Sequence, residues 1–126
     1  MIAYLRGEPG ADEVESRLQD DSEPCLAHVI NVCEVYYKAM RRSGEDVAES
    51  AIQDLKGQGL FVRDDLDELF WQEVGKYKAA IGSIPLADCF VVALATRFVG
   101  AELVTADRPD FEPIEKQGIC RVTFIR

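Results

Sequence analysis

Between Ile84 and Thr96 the chain reads IPLADCFVVALAT, and Asp88 is the only charged residue in it. A helix that is apolar all round is normally buried, and a buried carboxylate is costly unless it is paired or holds a metal. A strand-like run follows, Ala101-Glu102-Leu103-Val104-Thr105-Ala106-Asp107, with a second acid at its end. Glu34 stands early in a helical segment that itself follows a strand-like one. Acids at strand ends and helix starts can converge when the strands are parallel, since such sheets bind ligands beyond their carboxyl ends. Carboxylates and water select hard divalent cations, Mg²⁺ or Mn²⁺. Such a cation activates water and stabilises charge on a phosphoryl oxygen. No cysteine or histidine motif competes for that role.

Each acid also has a plainer reading. Lys38 lies four residues after Glu34, the spacing of a surface helical ion pair. Its neighbours Val32, Cys33, Val35 and Tyr36 instead suggest a mostly buried glutamate. Asp88 in a first helical turn would interact favourably with the helix dipole. Asp107 precedes Arg108-Pro109 and suits a turn or cap, and Asp110 reads as capping the turn into Phe111. The runs Asp64-Asp65, Asp67-Glu68 and Glu8 to Glu23 read as solvated helix faces.

The elements that must position these acids alternate. Helical segments are expected over 1–6, 11–18, 28–42, 45–56, 65–80 and from Pro85 to about Gly100, with a short helical turn before the last strand. Strands are expected over 24–27, 60–62, 103–105 and 121–125. The inward faces are read as Val32, Val35, Tyr36, Ala39 and Met40; then Val47, Ala51, Ile52 and Leu55; then Leu66, Leu69, Phe70, Val74 and Tyr77. Alternating strands and helices predict an α/β fold with a mostly parallel central sheet and helices on both faces, three layers in all. With 126 residues and no linker or repeat, one domain over 1–126 is expected.

Lys and Arg number 14 against 23 Asp and Glu, a net charge of -9. That argues against a simple basic nucleic-acid binder and favours a basic partner by steering. A nuclease stays open, because metal ions bring positive charge to the site. The cysteines, at 25, 33, 89 and 120, form no C-x-x-C pair, and three in apolar stretches read as buried thiols. With no signal peptide and no spanning run, the expected location is cytoplasmic. The lone histidine, His28, reads as a packed or capping residue at a strand end.

Four stretches together resemble the PIN domain, and within it the VapC-type toxins of bacterial toxin–antitoxin pairs. They are AYLRGEPG at 3–10, NVCEVYY at 31–37, IPLADCFVVALA at 84–95 and LVTADRPDF at 103–111. The resemblance implies a three-layer PIN-like fold and a Mg²⁺- or Mn²⁺-dependent ribonuclease. It makes Glu34, Asp88 and Asp107 the catalytic, metal-holding acids, with Asp110 auxiliary and Thr105 supporting by hydrogen bonding. It further implies an RNA substrate, a basic antitoxin that blocks the cleft, and a homodimer. The family normally opens with a strand ending in Asp-Thr or Asp-Ser, whereas here Met1 stands after that point. The chain therefore reads as N-terminally truncated, with a gap expected in its sheet and impaired metal binding. A catalytically inactive PIN-like binding module is one alternative. A receiver-like phosphoacceptor domain is another, weakened because Arg121 to Arg126 holds no lysine.

Overall fold

The computed structural model describes residues 1–126 and divides them into two compact units, Met1–Asp64 and Asp65–Arg126. In the first unit, α1 (Ile2–Arg6) and α2 (Ala11–Leu18) precede β1 (Cys25–His28), α3 (Val29–Ser43), α4 (Glu45–Gly57) and β2 (Leu60–Arg63). The second unit holds α5 (Glu68–Ala80), α6 (Leu86–Arg97), β3 (Glu102–Thr105), α7 (Arg108–Lys116) and β4 (Arg121–Phe124).

All strand pairing is parallel, as the α/β reading expects. Cys25 pairs with Leu60 and His28 with Arg63, while Glu102 pairs with Arg121 and Thr105 with Phe124. The ladders form two sheets of two strands each, where the expectation was one central sheet with a gap in it. Parallel strands need a helical crossover. In the first unit it is the α3–α4 pair, and in the second it is α7 alone.

Local sequence explains most element ends. Gly44, at φ 88°, stops α3 after Ser43. Glu45 and Asp46 then open α4, where acids favour the N-terminal end of the helix dipole. Gly59, at φ 116°, leads into β2 so close to α2 that a Cβ there would collide with the Leu18 carbonyl oxygen. Helix α5 begins at Glu68, three residues later than expected. Asp65 and Asp67 are held instead by Arg97 at the end of α6, at 3.2 and 2.6 Å. Asp65 is thus not a solvated acid: its side chain is 8% exposed.

The first unit's core gathers Leu18, Ala27, Val32, Val35, Leu55 and Leu60, with Ile2, Tyr4 and Leu5 of α1 packed against it. In the second unit Phe70, Val74, Ile84, Cys89, Val92, Leu103, Phe111 and Ile114 are buried. Several inward faces differ from expectation. Val47, Leu66 and Leu69 are exposed, and Met40 lies at the boundary of exposure. In α4 it is Ala48 that joins Leu55 in the interior. Leu66 precedes the first residue of α5, so the helical period does not govern it. Of the cysteines only Cys89 is buried; Cys25 and Cys120 are partly exposed and Cys33 is exposed, which corrects the reading of three buried thiols. No helix is long and apolar enough to cross a membrane.

Candidate functional site

The second unit builds its carboxylates at the strand-to-helix junction after β3. Thr105 ends the strand, and its carbonyl accepts a hydrogen bond from the Ile125 amide at 3.0 Å. Its hydroxyl accepts from the Asp107 amide at 3.0 Å, which folds the chain sharply off the sheet. Asp107 caps α7, and its Oδ1 accepts from the Asp110 amide at 3.2 Å. Pro109 in the first turn suits this start, because a first-turn N–H has no partner inside the helix. The capping expected of Asp110 is thus performed by Asp107, and Asp110 sits in the first turn.

Capping brings two carboxyl groups together. Partial burial, the Asp107 charge and a side-chain hydrogen bond to Asp107 push the Asp110 carboxyl above its ordinary range. Like charges held this close disfavour double ionisation. A hard cation is a natural counter-charge for such an all-oxygen pair. The neighbouring Arg108, read from sequence only as part of a bend, is tied down elsewhere. Its Nε donates to the Arg126 carbonyl at 2.9 Å and its guanidinium lies 4.6 Å from the Phe124 ring centre. The Asp-Arg-Pro triplet signals a turn, but nothing in it foretells that aromatic seat.

Asp88 stands in the first turn of α6, where its amide bonds to the Pro85 carbonyl at 3.1 Å. It is partly buried, not enclosed. The helix is apolar in sequence, yet Leu86 beside it is 54% exposed. The buried side of α6 is formed by Cys89, Val92, Ala93 and Leu94. Asp88, Asp107 and Asp110, all in the second unit, do not form a group tight enough to hold an ion.

Glu34 belongs to the first unit, on α3. It makes the helical pair that its spacing allows, with Lys38 Nζ at 2.8 Å. Its side chain is 33% exposed, so the acid is partly buried and ion-paired at once. The first unit also contains no group of three or more potential ligands. His28 is wholly buried, and its Nδ1 accepts from the Ile30 amide at 3.2 Å, capping α3 as expected of a residue at a strand end.

The family model for the PIN domain matches residues 1–116, and the chain belongs to that family. PIN domains are typically nucleases that use divalent metal ions, so nucleic acid is the substrate class that the family suggests. This membership supersedes the receiver-like alternative. No curated protein matches the chain.

Proposed function

We propose that this chain is a Mg²⁺- or Mn²⁺-dependent endoribonuclease, the toxin component of a VapBC-type toxin–antitoxin pair, acting as one PIN domain in the cytoplasm. Glu34, Asp88 and Asp107 are the acids proposed for metal binding, with Asp110 auxiliary, although no three of them are grouped to hold an ion in this structure. The observation that carries this reading is the Asp107–Asp110 carboxyl pair at the carboxyl end of β3, where parallel sheets place their ligands. The bound metal would supply activated water and neutralise charge on the phosphodiester. Thr105 holds the Asp107 backbone in place through its hydroxyl. Asp107, in turn, fixes the first turn of α7 and so the position of Asp110. A basic antitoxin and a homodimer complete the proposal, the first supported by the net charge of -9.

Single-stranded and structured RNA incubated with Mg²⁺ or Mn²⁺ tests it, comparing the natural chain with Asp88→Asn and Glu34→Gln. Cleavage that requires the metal and is lost in both variants is the expected result. An absence of cleavage, or cleavage indifferent to both substitutions, would sink the enzyme reading.

A further inference from the structure

Arg108 lies between the two paired acids in sequence, yet its side chain is fixed at the end of β4. Its Nε donates to the Arg126 carbonyl at 2.9 Å, and its guanidinium lies 4.6 Å from the Phe124 ring centre. Stacking on an aromatic face suits a flat guanidinium. Its ion partner, Glu112 of the same helix, is at 3.9 Å and also meets Lys116 at 3.5 Å. The end of β4 is itself anchored. The Ile125 amide donates to the Thr105 carbonyl at 3.0 Å, while the Thr105 hydroxyl accepts from the Asp107 amide at 3.0 Å. One residue therefore holds both the strand end that seats Arg108 and the turn that carries the acid.

We infer that Phe124 and the Arg126 carbonyl form a seat for the Arg108 side chain, and that this seat makes Arg108 a positioning residue for the Asp107–Asp110 pair. Arg108 is the first residue of α7, so pinning its side chain fixes where the helix begins. The Asp107 bond to the Asp110 amide then spans a turn that is held from both strands. A single capping bond at an exposed turn would leave the two carboxyl groups several arrangements, and binding a cation would have to order them. A guanidinium held in its plane by a hydrogen bond and against its face by a ring removes much of that freedom beforehand. Groups that support metal ligands in this way typically change metal affinity or activity about 10- to 100-fold. The inference rests on the metal-dependent nuclease reading of the same acids.

The test measures Mn²⁺ binding to the full chain without RNA, by the electron paramagnetic resonance of free Mn²⁺, and RNA cleavage alongside it. Phe124→Leu keeps an apolar side chain but removes the ring. Arg108→Lys keeps the charge but cannot lie flat against the ring. Both should weaken Mn²⁺ binding about tenfold and lower kcat, with KM for RNA little changed. Phe124→Tyr, which restores the ring, should bind Mn²⁺ and cleave as the natural chain does. Circular dichroism checks each fold, and the Arg108 Nε–H, followed by NMR, should exchange with solvent faster in Phe124→Leu. Unaltered Mn²⁺ affinity in Phe124→Leu and Arg108→Lys, with losses confined to melting temperature, would overturn the inference and leave the seat a stabilising contact only. Equal losses in Phe124→Tyr and Phe124→Leu would also overturn it. A natural chain that neither binds Mn²⁺ nor cleaves RNA would sink the nuclease reading and this inference with it. A natural chain that does both, beside variants that are indifferent, would sink this inference alone.

Discussion

Two junctions in this molecule solve the same local problem with different chemistry. After β1, the buried His28 imidazole accepts the amide of Ile30 and starts α3. After β3, the exposed Asp107 carboxylate accepts the amide of Asp110 and starts α7. Both side chains satisfy a helix N–H that has no partner within the helix. The His28 cap is closed off from water, whereas the Asp107 cap is open and places a second carboxyl group beside the first. The comparison teaches that a cap is not informative by itself. Its exposure and the charge next to it distinguish the folding role of His28 from the chemical role proposed for Asp107.

Exchanging stability for activity at the two caps is the sharpest way to break this contrast. Asp107→Ala should lower RNA cleavage on the order of 100-fold, while costing about 1 kcal/mol of stability as a lost cap. His28→Ala should do the reverse. It removes a fully buried ring as well as a cap, for roughly 2–4 kcal/mol by denaturant titration, and the remaining folded protein should cleave at its usual rate. If His28→Ala abolished cleavage without unfolding the protein, the two junctions would not differ in the way described.

Smaller effects sharpen the picture. Gly59→Ala should destabilise the first unit by about 1–3 kcal/mol, since the added Cβ meets the Leu18 backbone and the residue sits at φ 116°. Chemical denaturation compared with Gly57→Ala, where a Cβ meets nothing, isolates that collision. Smallest is the charge at Asp110. Its carboxyl in the folded state titrates above its unfolded value. The folded protein therefore holds that proton more tightly, and the associated stability is present at low pH and lost as pH rises through the folded value. Asp110→Asn should raise the melting temperature near neutral pH, with the gain disappearing below the ordinary carboxylate range. A gain that persists at low pH would point to packing and not to charge.

Much of the framework was legible because local signals agreed with it. The Gly44 break between α3 and α4, the four strands and the capping role of His28 all come from short-range patterns. Exposure was less legible. Helical spacing put Val47 and Leu69 inward, but spacing gives a face and not the neighbour that covers it. Asp88 was over-buried in expectation for the same reason: an apolar helix need not be enclosed at its first turn, where Leu86 meets solvent. The pairing of Asp107 with Asp110 was hidden by a choice between two adjacent caps, which only the hydrogen-bond geometry decides. The acid at Glu34 carried both a site reading and an ion-pair reading, and its spacing to Lys38 already contained the contact that forms.

The two crossovers also differ in how the chain must close them. Between β1 and β2 lie both α3 and α4, an interval about twice that between β3 and β4. Each doubling of a closed loop costs only about 0.6 kcal/mol of chain entropy. Its kinetic effect follows the sequence separation of the contacts, because distant strands must find each other before their pairing stabilises anything. The junction that carries Asp107 and Asp110 is therefore spanned by the shorter search, and its ladder is the one expected to zip first.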